Sequence, residues 1–103
     1  MAALTPTLVV SLDTSAGNYK RKVFTVVPTS ASDTVDLSSY FDTITFISTP
    51  HITTGEDANL LTAHGTFSTT TVTIVTKGAD GNAATDWTTA SITLEVVGTT
   101  LGK

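Results

Sequence analysis

The chain has 103 residues, none of them cysteine, and only 14% of its residues are charged. The absence of cysteine excludes disulfide bonds, a thiol nucleophile and thiolate metal sites, so the fold must be held by packing alone. An average soluble domain is about 25% charged, so this chain has little ionic surface to keep a monomer dispersed. Low charge is therefore the first indication that the protein acts by contact with other proteins.

Positive charge is scarcer still, since five basic residues stand against nine acidic ones and the net charge is −4. This is the wrong sign for a protein that neutralises phosphates, so we expect no nucleic-acid partner. No hydrophobic run approaches the about 20 residues of a transmembrane helix, and the first residues lack the basic and apolar regions of a signal peptide. We therefore expect no membrane association and synthesis in a cytoplasm.

Threonine is the most abundant residue, with 24 copies. Together with valine, isoleucine and phenylalanine it suits the half-buried surface of a sheet, whereas strong helix formers are scarce and glutamine is absent. Alternating polarity predicts about seven short strands. They cover residues 7–13, 20–27, 34–38, 42–49, 59–66, 69–77 and 91–97.

These strands, separated by turn residues, predict an all-β fold: an antiparallel β-sandwich over residues 1–103 as a single domain, with a small barrel as the alternative. Residues 1–6 and 99–103 show no pattern and are expected to be flexible arms. Residues 51–58 have loop composition. The segment 78–87 is expected to connect two antiparallel neighbours.

No catalytic or nucleotide-binding motif is present. The chain lacks a Gly-x-Ser-x-Gly elbow and a glycine-rich phosphate loop, and His51 and His64 have contexts typical of structural histidines. Residues 80–86 begin like a calcium loop but lack its glycine and its bidentate glutamate, so an ordinary turn is favoured. We predict no catalytic residue, no metal, no cofactor and no enzymatic activity.

Candidate partner contacts follow from expected exposure and loop length. They are Leu4, Pro6 and Leu8 near the N-terminus, the basic run Lys20, Arg21 and Lys22, and the loop from Asp80 to Trp87. The basic run indicates either a solvated strand end or edge, or an electrostatic contact with an acidic partner. Trp87 and Tyr40 are interpreted as core residues, with a sugar platform or an interface as the functional alternatives.

Two segments carry a resemblance to a known class of proteins. Residues 34–47 (TVDLSSYFDTITFI) and 91–98 (SITLEVVG) look like strands of small, cysteine-free virion proteins of tailed bacteriophages, particularly β-rich capsid decoration or cement proteins. The likeness extends over most of the chain as a general similarity of its sequence and includes no fixed motif. It therefore assigns no functional role to any single residue.

The resemblance implies a structural protein on the capsid surface of a virion, made in the host cytoplasm. Its partner would be the major capsid protein or another virion protein. It would be a homo-oligomer, often a trimer in this class, that clamps neighbouring capsid subunits against internal DNA pressure.

Two other functions fit the same composition. One is an immunoglobulin-like or carbohydrate-binding module of a tail, fibre or cell surface, in which Trp87 and Tyr40 would stack on sugar rings. The other is a head-tail connector or tail-tube subunit.

Overall fold

The computed structural model describes residues 2–13 and 18–100, and the regular structure in these two ranges is entirely β. It contains nine strands. They are β1 (Ala2–Leu4), β2 (Thr7–Asp13), β3 (Tyr19–Val26), β4 (Ser32–Asp36), β5 (Thr43–Ile47), β6 (His51–Thr54), β7 (Thr62–Ser68), β8 (Thr71–Lys77) and β9 (Ser91–Thr99). These residues include no helix of the length and hydrophobicity needed to cross a bilayer.

The strands form two sheets that pack face to face. One has four strands in the order β1-β4-β8-β7, and the other has five, in the order β2-β3-β9-β5 with β6 also paired to β9. All pairs are antiparallel except β1 with β4. The prediction of an antiparallel sandwich is confirmed, and the alternative of a barrel is wrong because the sheets do not close on each other.

Strict alternation in β8 and β9 builds the centre of the core. In β9 the side chains of Ile92, Leu94 and Val96 are buried, and in β8 those of Val72 and Ile74 are buried, as the sequence predicted. Successive side chains of a strand point to opposite faces, so each strand also presents an outer row to solvent.

A cluster of aromatic rings closes one part of the core. Phe24 packs edge-on against Tyr40 with ring centroids 5.0 Å apart, and against Phe41 at 6.4 Å. Phe41 is fully buried and Tyr40 is half-buried. The interpretation of Tyr40 as a residue packed against the core is therefore confirmed, and its neighbour Phe41 lies within the core.

The expected pairing of the last two strands is wrong. β8 belongs to the four-stranded sheet and β9 to the five-stranded one. The segment between them is long enough to cross the roughly 10 Å gap between packed sheets. Ala84 and Ala90 of this segment are buried and pack it against the core.

Bulges explain a second group of differences. Alternation along the strand predicted at residues 42–49 would place Ile44 and Phe46 on one face, but the β5–β9 register shifts between them, so Ile44 is buried while Phe46 is 53% exposed. The extra residue of a bulge reverses the alternation of the residues that follow it. Residues 51–58 were expected to form a loop, yet β6 forms there because Ile52 is buried and pairs with Ile92.

The strand expected at residues 59–66 begins later. Leu60 is buried in a turn closed by reciprocal backbone hydrogen bonds with Asp57, and β7 starts at Thr62. Alternation along the predicted strand would place Leu61 and Ala63 on one side, whereas in the structure Leu61 is exposed and Ala63 is buried.

The expected arms also differ from the structure. Ala2–Leu4 forms β1, and Leu4 packs against the core. At the other end, Thr99 completes β9 and the buried Thr100 donates its hydroxyl to the Asn18 carbonyl at 2.9 Å. Residues 1 and 101–103 lie outside the described residues.

Candidate interaction surface

Strand β2 is the edge of the five-stranded sheet and is open on both faces. Every side chain from Thr7 to Leu12 is exposed. Four of them are large and apolar: Leu8 (39% exposed), Val9 (57%), Val10 (38%) and Leu12 (38%). The four-stranded sheet therefore leaves this strand uncovered, although its alternation predicted one buried face.

The chain path explains why β2 is uncovered. Only two residues, Thr5 and Pro6, link β1 in one sheet to β2 in the other, so both strands must lie on the same side of the sandwich. β1 has three residues whereas β2 has seven. The short strand has too little length to cover the long one.

The opposite side of the sandwich is closed. The Ile44 amide of β5 donates to the Thr69 carbonyl at 2.6 Å, which joins the two sheets. A Cβ atom on Gly65 of β7 would lie 3.2 Å from the side chains of Ile47 and Pro50, so these elements are in tight contact. The β2 side is therefore the more accessible side of the fold.

An apolar row continues from β2 across the outer face of the five-stranded sheet. Leu12 pairs with Arg21, Arg21 with Val97, and Val97 with Phe46. These residues face away from the core because their neighbours along β3 and β9, such as Val96, point inward. The row places exposed Leu12 and Phe46 at its two ends, with the aliphatic part of Arg21 between them.

The basic run lies at the start of β3, which pairs on one side with β2 and on the other with β9. It is a strand end, as expected, but it is not on a sheet edge. Arg21 faces outward, with its Nε 3.9 Å from Oε1 of Glu95. Lys22 lies on the other face and donates from Nζ to Ser11 Oγ at 2.7 Å. Lys20 is on the same face as Lys22, so the three charges are divided between two faces.

The three N-terminal candidates have unequal exposure. Leu4 and Pro6 are half-buried, and Leu4 packs against the core. Only Leu8 is exposed. Of these three side chains, Leu8 is therefore the one best placed for contact with a partner.

The loop from Asp80 to Trp87 begins with an ordinary turn. The Asp80 carboxylate accepts hydrogen bonds from the Asn82 backbone at 2.9 Å and from its amide group at 3.3 Å. The backbone bond from Asn82 is the main cause that lowers the pKa of Asp80. Gly81 has a φ of +79°, which suits this turn. Among residues 2–13 and 18–100, no three acidic or histidine side chains gather as a metal site would require.

Trp87, at the end of that loop, lines a groove with a volume of about 370 Å³. The other lining residues are Val27, Pro28, Thr29, Thr85, Asp86 and Thr88. Trp87 is half-buried, and its Nε1 donates to the fully buried Thr76 Oγ1 at 3.0 Å. The interpretation of Trp87 as a residue packed against the core is confirmed, although the same side chain also borders the groove.

Asp86 supplies charge to this groove. Its Oδ1 accepts from the Thr88 hydroxyl at 2.7 Å and from the Thr88 amide at 3.0 Å. The Thr88 side chain is the larger cause that lowers the pKa of Asp86. A fixed carboxylate beside a partly exposed indole is an arrangement that can bind a polar ligand with an apolar face.

The outer face of the four-stranded sheet has a different chemistry. Thr34, Thr73 and Thr66 are aligned across β4, β8 and β7, and Thr71 pairs with Ser68 one row away. The inward positions of β8 are apolar or internally bonded, so these hydroxyl groups lie on the outer side of the sheet, where the Thr34 hydroxyl donates to the Ala2 carbonyl at 3.4 Å. We call these five residues the hydroxyl face.

The two histidines do not form a catalytic pair. His51 begins β6 and lies on the outer side of the five-stranded sheet, since its neighbour Ile52 is buried. His64 lies on the outer side of the other sheet, where it pairs with Val75. The two imidazoles therefore face opposite sides of the sandwich.

Sequence reasoning missed Phe46, Val10 and Leu12 as surface residues. Their apolar character predicted burial, and no local signal marks the bulge in β5 or the edge position of β2. The one available signal was the lack of charge in residues 7–12, because an edge strand of a monomer is commonly protected by lysine or proline.

No family model, curated protein or solved structure matches this chain. The chemistry of the β2 edge, the hydroxyl face and the Trp87 groove is therefore the basis for any functional inference.

Proposed function

We propose that this chain is a structural virion protein, a capsid decoration or cement protein that binds the outer head lattice of a tailed bacteriophage and stabilises it. The observation that carries the proposal is the set of exposed apolar residues on a weakly charged β-sandwich, which runs along β2 and across the outer face of the five-stranded sheet to Phe46. Exposed apolar patches of this kind mark protein-protein contact sites.

A decoration protein needs surfaces for two kinds of contact, with the lattice and with its own copies. The hydroxyl face offers methyl groups for packing and hydroxyl groups for hydrogen bonds, without charges that would have to be desolvated. Burial across subunit boundaries would then stabilise the assembled shell by mass action, because the protein binds the shell and not its separated subunits.

The experiment uses heads assembled from the major capsid protein encoded in the same genome. Purified protein is mixed with these heads and sedimented, and the heads are then heated with and without it. We expect saturable co-sedimentation and a higher temperature of head disruption. Protein that stays in the supernatant at every ratio, or a genome without a capsid gene, would refute the proposal.

A second candidate, carbohydrate binding, is favoured by the groove at Trp87. The groove combines an indole, the carboxylate of Asp86 and threonine hydroxyls, which are the groups that recognise a sugar ring. Trp87 is the single tryptophan, so its fluorescence reports the groove directly.

A titration with neutral oligosaccharides tests this candidate. If sugars bind there, fluorescence changes saturably, and Asp86→Ala weakens binding. The control is Asp80→Ala, since Asp80 is in a similar turn but outside the groove. Absence of a saturable change across the panel would reject the groove as a sugar site.

A further inference from the structure

We infer that two copies of this chain pair through their β2 strands, antiparallel and about a twofold axis at Ser11, so that the two five-stranded sheets become one. β2 pairs with β3 on one side, and on its other side it has no strand partner within the described residues. Unpaired backbone groups along such an edge are a template for another strand.

The β2 edge carries little protection against this pairing. Residues 7–12 contain no charge and no proline. The bulge between Leu8 and Val10 is the one protective feature, and from Val10 to Asp13 the ladder with β3 is regular. The regular part is thus free to extend the sheet by one more strand.

A second copy fits this edge better than a charged partner does, because the edge is complementary to itself. With Ser11 opposite Ser11 of the other copy, Val10 lies opposite Leu12 on the same outer face, and Asp13 lies opposite Val9. No two like charges of the strand meet. The Lys22 side chains of the two copies would be three strand spacings apart, about 14 Å, where salt screens most of their repulsion.

The exposed apolar surface has the right size for such a contact. Five residues along β2 and the start of β3 are between 38% and 57% exposed: Leu8, Val9, Val10, Leu12 and Tyr19. Aromatic side chains bury roughly 150–250 Å² each and the four aliphatic ones here are smaller, so the group exposes on the order of 300 Å². A standard interface buries about 800 Å² per partner around a more apolar centre, and this group supplies such a centre.

The first test is the mass of the protein in solution. We expect sedimentation equilibrium to give a dimer, and Leu12→Lys to weaken the dimer about tenfold or more, because the lysine would face Val10 of the other copy. The matched control is Leu61→Lys, at a leucine that is 41% exposed and lies outside β2, and this variant should stay dimeric. A monomer at about 100 μM, a trimer, or equal behaviour of the two variants would overturn the inference.

The second test uses the absence of cysteine. The two Ser11 Cα atoms would be about 5.5 Å apart if they formed a hydrogen-bonded antiparallel pair and about 4.5 Å apart if they formed a non-hydrogen-bonded pair. Both distances are within the range of a disulfide. We expect Ser11→Cys to form a covalent dimer on mild oxidation. Ser68→Cys, an exposed serine on edge strand β7, should not do so. Equal cross-linking of the two variants would overturn the proposed register.

The pairing and the proposed capsid role can fail separately. A dimer that ignores heads would support the pairing and refute the capsid role, whereas a monomer that binds heads would do the reverse.

Discussion

Replacing Asp33 by asparagine tests how the N-terminal strand is held in place. Asp33 is 1% exposed, and its carboxylate accepts four hydrogen bonds. Oδ1 accepts from the Ala2 amide at 3.2 Å and from the Ser30 hydroxyl, while Oδ2 accepts from the Thr29 amide at 3.0 Å and the Ser30 amide at 3.2 Å. The carboxylate thus joins β1 to the turn that precedes β4.

The magnitude follows from the bonds that Asp33→Asn removes. The amide keeps one acceptor oxygen, and its NH₂ group would face donors that the second oxygen now satisfies. A hydrogen bond to a charged group is worth about 1.5–3 kcal/mol, and a buried donor left unsatisfied costs about 1–3 kcal/mol. We expect a loss of about 2–4 kcal/mol, a large part of the 5–15 kcal/mol typical of a small domain.

Urea unfolding followed by Trp87 fluorescence and circular dichroism measures this loss. The control is Asp36→Asn on the same strand, which removes the same charge at an exposed site. The Asp36 carboxylate accepts a hydrogen bond from the Ser38 amide at 2.9 Å at a site exposed to solvent. We therefore expect a much smaller loss of unfolding free energy from Asp36→Asn. An Asp33→Asn variant as stable as Asp36→Asn would refute the account of the buried network.

The same site predicts a pH dependence. Burial raises the pKa of Asp33, but hydrogen bonds from Ser30, Thr29 and Ala2 outweigh it, and the pKa lies below its usual value of 3.8. The folded form therefore holds the proton less tightly than the unfolded form. The stabilising effect of the ionised Asp33 carboxylate is complete above about pH 4 and is lost as the pH falls through the pKa of Asp33 in the folded protein. The stability difference between wild type and Asp33→Asn should shrink in that acid range, and a constant difference would contradict this cause.

Two further predictions concern packing. Gly98→Ala should destabilise by about 1–3 kcal/mol, because the new Cβ would lie 2.5 Å from the Thr43 carbonyl oxygen, which the backbone cannot easily move. Gly65→Ala meets side-chain ends at 3.2 Å and should cost less in the same urea experiment. Trp87→Phe should cost about 1–2 kcal/mol by removing the donor to buried Thr76. In a double-mutant cycle followed by circular dichroism, Thr76→Val should lower the free energy of unfolding of the Trp87→Phe variant less than it lowers that of the wild type. Additive losses would refute the hydrogen bond between Trp87 and Thr76.

The strands that could be predicted from sequence are those in which apolar residues recur at every second position. β2 was predicted with its observed limits, and β8 and β9 were predicted with their correct buried faces, on this basis. Proline also ended β3 near its observed limit, before Pro28.

Features that depend on distant parts of the chain could not be predicted. The bulge in β5 has no local marker, so Phe46 was assigned to the wrong face. β1 has three residues and becomes visible only through its pairing with β4 and the bond from Ala2 to Asp33. Val10 and Leu12 pair with the outward-facing Val23 and Arg21 and so lie on the outer face of the sheet, and alternation along one strand does not show which of its faces is the outer one.

The proposed pairing and the proposed capsid role support each other through symmetry. A twofold axis perpendicular to the joined sheet keeps the outer faces of both five-stranded sheets on one side of the dimer. The two hydroxyl faces, which contain Thr34, Thr73 and Thr66, then point together to the opposite side. A dimer would thus present two equal neutral surfaces to a lattice that itself repeats. Binding by the first copy raises the effective concentration of the second, so modest affinity at each hydroxyl face is enough for stable attachment.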